Sequence, residues 1–482
     1  AWAVSQLGAA NRWQTAAIDL AWKIGIPPRD IATQALEYAE IGWLIGSENQ
    51  QAAVARRALE AMLALPEQDQ ADVETIARLR GMLGSALFHA GDVEAARATL
   101  REGLAQLGDP DESAVRAHLN SVLGWTYWRA GLVEEAVPIL EASVAEAEAV
   151  DDQRTLRWAN HDLGVALGML GDHDAAVVRV EESMRLAQEA DDRNLVMRCY
   201  INLPAMRASR GDDSRPLLEM ALEGIGHARR AAAGSVVCWL AGNIAGFLTD
   251  LGRLDEALDY ADEAVTAAAA HVPGNYAMTL SDRAALHRLR GEHEAAARDE
   301  ELLTEVGVEP EPQLKVHRLF SETQIRWVTD PQAAVEGLVE EIEAERAHVD
   351  ERPKIAHWLA RGALRLGDRP RLEQAVRIVR ASPVPPSLGA QARREWILGM
   401  TDGSDGRTVE SAARRLEELG LLVPAADAWA DAALLAARAG RTSVALDRAT
   451  ALIARVGMHP MLGPLPETRW LEPVGDVTAA SS

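Results

Sequence analysis

Apolar residues recur along this chain at spacings of three and four, and the whole pattern repeats about every forty residues. In each copy a large apolar residue stands eight positions before a glycine, a small residue usually follows it, and an alanine comes five positions after the glycine. These spacings place one apolar stripe on each of two helices, and the glycine between them is expected to end the first helix in the left-handed conformation. The clearest copies turn at Gly91, Gly131, Gly171 and Gly211, and weaker copies turn at Gly252, Gly291, Gly367 and Gly440.

Aspartate residues mark both ends of these helical units. Three of them follow a turn glycine and are predicted to cap the second helix, namely Asp92, Asp172 and Asp212. Three others open the acidic loops from which the next unit starts, namely Asp111, Asp151 and Asp191. A repeat of this length is typical of a solenoid, so the sequence predicts an all-α, right-handed superhelix of stacked antiparallel helix hairpins with about 40 residues per repeat.

The regularity of the pattern changes along the chain and divides it into four regions. We predict an N-terminal helical cap over residues 1–70, regular repeats over 71–306, degenerate helical repeats over 313–456 and a flexible tail over 457–482. The tail is rich in proline, glycine, alanine and serine and lacks a periodic apolar face, so no helix is expected there.

Pro204 departs from the repeat in the fourth unit. It replaces the small residue of the other copies and stands inside the first helix, where proline removes a hydrogen bond and clashes with the preceding turn. A kink is therefore expected. The kink is either a hinge that lets the superhelix open and close around a ligand, or a static bend that the packing accommodates.

The composition agrees with a helical array and excludes some classes of partner. The 482 residues include only 4% aromatics, and the net charge of −24 repels phosphate backbones, so direct nucleic-acid binding is not expected. Cys199 and Cys238 show no CxxC spacing, which fits a reduced cytoplasm. There is no apolar run of membrane-spanning length and no signal-peptide pattern, so a cytoplasmic protein without membrane contact is expected.

Catalytic motifs are missing from the sequence. It contains no GxxxxGK[ST], HExxH or GxSxG pattern, and we expect no enzyme activity, no cofactor and no metal site. His161 and Asp162 are adjacent on a helix and are expected to point in different directions. Asp162, Asn202 and Asn243 share one phase of the repeat and are predicted to form hydrogen bonds between helices. An enzyme whose chemistry the sequence does not display is the weakest alternative.

The leucine-glycine pair, the turn glycine and the following alanine resemble the diagnostic positions of tetratricopeptide-like repeats. The resemblance is strong from about Ile76 to Val265, although the helices are longer than in the common repeat, and Arg283 and Glu300 stand at apolar positions of the sixth unit. The stretch from Ser411 to Gly457 resembles the last helices before the DNA-binding domain of large ATP-binding LuxR-type regulators and related cyclase-linked ATPases of the STAND class.

In those regulators the superhelix receives the signal, while separate domains hydrolyse ATP and bind DNA. Neither a phosphate-binding loop nor a helix-turn-helix is found in this sequence, and it starts at Ala1 rather than at a methionine. We therefore expect either an excised sensor region or a free-standing relative.

The resemblance also implies a binding surface, because the first helix of each tetratricopeptide unit lines the concave face. Large aromatic and cationic residues collect at the inward positions, and tryptophan and arginine are enriched in binding hot spots. The predicted groove residues are Arg78, Phe88, His118, Trp125, Trp128, Trp158, His161, Arg198 and Trp239. The alternative is that these tryptophans pack between adjacent helices. If they line a groove, replacing Trp125 and Trp158 by alanine should abolish binding without unfolding the protein.

Two functions fit these observations. In the first, the chain is the non-catalytic sensing region of a transcription regulator or STAND ATPase, and a protein, peptide or small-molecule inducer in the concave groove changes the curvature. In the second, it is a passive scaffold or adaptor that clamps a partner peptide or helix without switching.

Overall fold

The structure, a computed structural model, describes residues 2–45, 48–66, 72–107, 113–306, 315–343, 352–401 and 403–459. Helices account for most of these ranges, and no β-strand occurs in them. The predicted all-α class is therefore confirmed.

The helices form an N-terminal group, six hairpins and a C-terminal group. The N-terminal group is α1 (Trp2–Lys23), α2 (Pro28–Ile45) and α3 (Glu48–Leu63). The hairpins are α4 (Val73–His89) with α5 (Val93–Gln106), α6 (Ala114–Arg129) with α7 (Val133–Ala149), α8 (Gln153–Met169) with α9 (His173–Glu189), α10 (Arg193–Arg210) with α11 (Ser214–Ala231), α12 (Gly234–Asp250) with α13 (Leu254–His271), and α14 (Tyr276–Leu289) with α15 (His293–Val306).

The C-terminal group contains shorter helices and less regular connections. It consists of α16 (Lys315–Thr329), α17 (Pro331–Glu343), α18 (Arg352–Leu366), α19 (Arg369–Ala381), α20 (Leu388–Leu398), α21 (Arg407–Glu418), α22 (Leu422–Arg438) and α23 (Ala445–Val456). The predicted tail begins at Gly457, and its residues 460–482 lie outside the described residues.

The six hairpins stack into an arc with their first helices on the inside. Each first helix contacts the first helix of the next hairpin, whereas consecutive second helices contact one another little in the described part of the chain. The first helices thus lie closer together and form the concave face. Helix α2 contacts α4 of the first hairpin and α12 of the fifth hairpin, so the N-terminal helices connect these two hairpins.

The predicted turns are present in every unit. All eight turn glycines have a positive φ, from 64° at Gly440 to 98° at Gly211. Asp92 and Asp172 cap their helices as expected, each accepting a hydrogen bond from a backbone N–H at 3.2 Å. The prediction for Asp212 was wrong. Its carboxylate binds Arg207 at 2.8 Å and Arg210 at 2.7 Å, and Asp213 takes the N-cap position.

The small residue of the repeat is explained by close contact inside each hairpin. A Cβ on Gly84 would lie 2.6 Å from Cγ of Leu100, and one on Gly124 would lie 2.5 Å from Cγ of Leu140. Those leucines stand nine residues after the turn, on the second helix. A side chain at the glycine positions would therefore force the two helices apart.

The sixth hairpin replaces this apolar contact with ion pairs. Arg283 on α14 binds Asp299 on α15 with N···O distances of 2.6 and 2.9 Å, and Arg288 forms a second pair with Glu300. Asp299 is buried, so its pairing with Arg283 compensates the loss of hydration. The polar residues that appeared out of place in the sequence thus hold the hairpin together.

The C-terminal helices fold back onto the turn edge of the fourth to sixth hairpins. The turn at Gly211 contacts Ala390, the turn at Gly252 contacts Leu422, and the turn at Gly291 contacts His459. Arg393 forms an ion pair with Asp250 at 2.6 Å. One continuous hydrophobic core joins these hairpins to the C-terminal helices, so a change in their stacking is mechanically linked to the C-terminal group.

A buried polar cluster holds three C-terminal helices together. Asp431 on α22 has no exposed surface and accepts hydrogen bonds from Arg361 on α18 at 3.0 Å and from the indole of Trp396 on α20 at 3.1 Å. Arg365 binds its other carboxylate oxygen at 2.5 Å, and Asp427 binds Arg361 at 2.8 Å. Two cations and two carboxylates therefore balance one another inside the core.

Candidate functional site

The candidate site is the concave face formed by the first helices α4, α6, α8, α10 and α12. The structure places the nine predicted groove residues on these helices but at different depths. Arg78 and His118 are exposed, and Trp158, Arg198 and Trp239 are half-buried. The other four, Phe88, Trp125, Trp128 and His161, are buried.

Phe88 and Trp125 form an aromatic contact between the first and second hairpins. Their ring centroids lie 4.8 Å apart with an interplanar angle of 59°. Trp125 is 7% exposed and Trp128 is 6% exposed. These two tryptophans therefore stabilise the stacking of α6, and the expectation that Trp125 could be truncated without loss of stability is revised accordingly.

Trp158 keeps part of its surface exposed and has a defined orientation. Its indole N–H donates a hydrogen bond to Asp192 Oδ2 at 3.1 Å, and Asp192 also binds Arg157 at 3.0 Å. The guanidinium of Arg198 lies over the ring, 5.1 Å from its centroid, at a distance typical of a cation–π interaction. Asp192 thus holds the edge of the Trp158 ring, and Arg198 of the next repeat covers one of its faces.

A buried hydrogen-bonded chain lies beside this pair. His161 Nδ1 and Asp162 Oδ1 are 3.0 Å apart, and the amide of Asn202 lies 2.9 Å from His161 Nε2. The expectation that His161 and Asp162 point in different directions was wrong, because their side chains meet over the helix surface. Two of the three residues predicted to bond between helices do so, namely Asn202 and Asn243, whose amide donates to the carbonyl of Ile201 at 2.9 Å. Asp162 bonds instead to His161 of its own helix.

Positive charge is concentrated around the half-buried part of the face. Desolvation lowers the pKa of Arg198 to about 10, Asp162 opposes this shift, and the neighbouring charge of Arg129 adds to it. The guanidinium of Arg129 lies 5.8 Å from the ring centroid of Trp128. At neutral pH the guanidinium of Arg198 is still charged, because this pKa lies well above 7.

Pro204 lies inside α10, which runs as one helix from Arg193 to Arg210. Its side chain is buried, and hinge motion at this position stays a prediction. Within the described ranges no group of three or more His, Cys, Asp or Glu residues could hold a metal ion. None of the described helices is long and apolar enough to cross a bilayer.

Sequence reasoning missed three residues of this face: Arg129, Asp192 and Asn202 as a partner of His161. Arg129 stands two positions before its turn glycine, outside the inward positions that were considered. Asp192 is the second aspartate of its loop and caps α10 through the backbone N–H of Leu195 at 3.1 Å. Asp152 stands at the same repeat position and caps α8 in the same way. The repeat could therefore have identified Asp192 as a capping residue.

Two segments match models of the tetratricopeptide repeat family. Residues 114–189, which contain the second and third hairpins, match one such model, and residues 237–272 in the fifth hairpin match another. Among curated proteins none matches the sequence significantly.

Solved structures align with this chain, two of them with a TM-score above 0.5. A Rap protein complexed with competence and sporulation factor aligns with a TM-score of 0.56 at 10% identity, covering 73% of this chain and 96% of that one. NprR in complex with its cognate peptide NprX aligns with a TM-score of 0.52 at 13% identity, covering 72% and 96%. A STAND protein with a tetratricopeptide repeat sensor from Pyrococcus horikoshii aligns with a TM-score of 0.46 at 11% identity, covering 70% and 55%. The fold of this chain is a tetratricopeptide-like superhelix.

Proposed function

We propose that this chain is a non-catalytic binding module that holds a peptide or a protein segment on the concave face of α4 to α12. The observation that carries the proposal is the position of Trp158. A half-buried indole, held by Asp192 and covered by Arg198, offers a rigid apolar surface next to a cation. Such sites bind a partner with little loss of conformational freedom, because the side chains are already ordered.

The order of side chains along the face also favours an extended partner. Trp158 and Trp239 stand at the same repeat position two hairpins apart, and Arg198 stands at that position in the hairpin between them. A ligand that contacts all three must follow the line of first helices. Two proteins of the same fold were crystallised as complexes, one of them with a peptide, which supports this mode of binding.

We infer further that the module acts in signalling, as the sensing region of a transcription regulator or a STAND ATPase. The sequence from Ser411 to Gly457 resembles such regulators. The C-terminal helices rest on the turns at Gly211, Gly252 and Gly291, so a ligand that changes the stacking of α10 to α14 would also shift the C-terminal group. This mechanical link favours the switching module over the passive scaffold.

The binding proposal is tested by selecting peptides from a random displayed library on the intact protein. Selected peptides are then titrated against the parent protein and against Trp158→Ala. Trp13→Ala is the matched control, because Trp13 is 76% exposed on α1, outside the concave face. We expect Trp158→Ala to weaken binding at least about tenfold and Trp13→Ala to leave it unchanged.

The proposal fails if no peptide is enriched, or if the selected peptides bind Trp158→Ala as tightly as the parent. Circular dichroism of Trp158→Ala shows whether the variant retains its fold. For the signalling inference, the measurement is a distance between spin labels on α6 and α21 with and without a selected peptide. An unchanged distance at saturation would favour the passive scaffold.

A further inference from the structure

A proline-rich segment connects α19 to α20 and lies beside the turn of the fourth hairpin. Residues 382–387 read SPVPPS. Pro385 packs on the turn, because a Cβ on Gly211 would lie only 2.9 Å from Cβ of Pro385. The segment is therefore attached to the turn edge of the arc, away from the concave face.

The composition of this segment restricts its backbone to the polyproline II conformation. Proline holds φ near about −65°, and a residue that precedes proline is driven to extended ψ values. Pro383, Pro385 and Pro386 impose the first restriction, while Ser382 and Val384 come under the second. The structure agrees at the start of the segment, where Ser382 has φ −70° and ψ 150°. The segment thus forms about one turn of a left-handed polyproline II helix.

The exposure of the side chains follows the threefold period of such a helix. Ser382 and Pro385, three positions apart, are half-buried, and Pro385 is the residue that touches the turn. Pro383 and Pro386, also three positions apart, are exposed, and Val384 between them is 70% exposed. One edge of the helix therefore rests on the protein, and the other three residues form an exposed proline ridge: Pro383, Val384 and Pro386.

Two side chains of α20 hold the segment in place. The amide of Gln391 donates hydrogen bonds to the carbonyls of Pro385 at 3.1 Å and Pro386 at 3.3 Å. The guanidinium of Arg394 donates to the carbonyl of Ser382 at 3.0 Å. A surface that is already ordered loses little conformational entropy when a partner binds it. The proline ridge is thus preorganised for binding.

The middle of the segment keeps hydrogen-bonding capacity for a partner. The carbonyls of Pro383 and Val384 accept no hydrogen bond from the residues that the structure describes. An indole N–H or a tyrosine hydroxyl, whose rings would pack beside the prolines, could donate to them.

The two ends of the ridge differ in charge. Arg377 and Arg380 are exposed on the last two turns of α19, directly before the segment, and no carboxylate within the described ranges pairs with either. At the other end an acidic residue is close, since a Cβ on Gly389 would lie 3.2 Å from Oδ1 of Asp213. Charges placed in this way fix the direction in which a partner binds.

We propose that the proline ridge is a docking site for a protein domain whose groove is lined by aromatic side chains and carries acidic residues at the end that meets α19. Grooves of this kind bind polyproline II segments in SH3 and WW domains. The acidic residues of the partner pair with Arg377 and Arg380. The site is separate from the concave face and does not rest on the binding role proposed above.

The occupant is a different protein rather than a second copy of this chain. A groove that binds polyproline II needs several exposed aromatic rings side by side. Over the part of the chain that the structure describes, Trp13 is the only Trp, Tyr or Phe residue with an exposed side chain. A second copy therefore offers no such groove on these residues.

The test titrates the intact protein with a panel of purified, fluorescently labelled SH3 and WW domains. Half of the panel carries acidic residues beside the aromatic groove, and the other half does not. We expect the acidic half to bind at least about tenfold more tightly, and added salt should reduce this difference. A proline-rich peptide that occupies the groove of the domain should displace it from the protein.

Three variants locate the contact on the ridge. Pro383→Ala and Pro386→Ala should each weaken binding at least about tenfold, and Arg380→Gln should weaken it about threefold and reduce its dependence on salt. All three side chains are exposed, so the fold should be retained, which circular dichroism checks. Pro138→Ala is the matched control, because Pro138 is exposed on α7 of the second hairpin.

Several results would overturn the proposal. They are binding by no domain of the panel, equal loss in Pro138→Ala and Pro386→Ala, and binding that the proline-rich peptide does not displace. Sedimentation that finds a dimer for the parent and a monomer for Pro386→Ala would assign the ridge to a second copy instead. Trp158→Ala should leave binding of the domains unchanged, so a loss in that variant would place them on the concave face.

Discussion

The guanidinium of Arg198 lies 5.1 Å from the centroid of the Trp158 indole, although about forty residues separate them in the sequence. Both stand thirteen positions before their turn glycine. The repeat therefore brings equivalent positions of consecutive first helices into contact. A residue at this position both packs against its neighbour and faces the concave side, so stability and binding are coupled there.

Replacing Trp158 by phenylalanine should separate the hydrogen bond of the indole from its packing. The ring under Arg198 is kept, and the bond from the indole N–H to Asp192 at 3.1 Å is lost. Because the acceptor is charged and half-buried, we expect a loss of about 1–2 kcal/mol in the free energy of unfolding, measured by urea denaturation. Trp239→Phe should change stability less, because within the described ranges the Trp239 indole donates no hydrogen bond. Equal losses in both variants would mean that packing alone explains the effect.

Replacing Trp125 by alanine should destabilise the protein strongly. The side chain is 7% exposed and packs against Phe88, so truncation leaves a cavity and should reduce the free energy of unfolding by about 3–5 kcal/mol. The same substitution at Trp13, which is 76% exposed, should leave the urea midpoint nearly unchanged. A Trp125→Ala protein with the parent midpoint would restore the earlier expectation that this residue serves binding alone.

Replacing a helical glycine by alanine should lower stability at one position and raise it at another. A Cβ on Gly124 would lie 2.5 Å from Leu140, so Gly124→Ala should cost about 1–3 kcal/mol of stability. A Cβ on Gly242 of α12 would meet no atom of a described neighbour within 4 Å, so Gly242→Ala should raise stability by about 0.5–1 kcal/mol through helix propensity. Thermal midpoints of the two variants check the signs. Two changes of the same sign would contradict the packing argument.

The repeat pattern of the sequence was sufficient to predict the fold of the hairpins. The turn glycine acts through its own backbone conformation. The contact between Gly84 and Leu100 is also nearly local, because both residues lie in the same hairpin. The fold could therefore be inferred from spacing alone. The boundaries between the predicted regions stay predictions.

The depth of each groove residue could not be predicted in the same way. The sequence places Trp125 and Trp158 on the same side of successive helices, but it does not show that Phe88 covers the first while Asp192 and Arg198 orient the second. Those contacts depend on the rotation of each helix and on side chains from other units. The packing of the C-terminal group on the turn at Gly211 depends on the curvature of the whole arc, which no local pattern encodes.

Replacing Asp431 by asparagine should be among the most damaging single changes in the C-terminal group. The substitution removes the charge that two arginines share and leaves Arg361 buried beside only Asp427. Removing one partner of a buried ion pair leaves an uncompensated charge, and we expect a loss of about 3–5 kcal/mol. Glu373→Gln, which breaks the exposed pair with Arg369, should change the urea midpoint little. Similar small effects in both variants would show that water reaches the cluster.

His357 should make the stability of the protein depend on pH. Its ring packs edge-on against Trp396 with centroids 4.5 Å apart, and desolvation, aided by the charges of Arg361 and Arg393, holds its pKa well below the ordinary value of 6.5. The unfolded chain takes up a proton at this histidine below about pH 6.5, whereas the folded protein does not, so acid favours unfolding. Its contribution is therefore constant above that pH and falls below it, by about 1.4 kcal/mol one unit lower. Urea denaturation between about pH 7.5 and about pH 5.5 should show this loss in the parent and a smaller one in His357→Leu. Identical pH profiles would mean that the imidazole accepts its proton in the folded core.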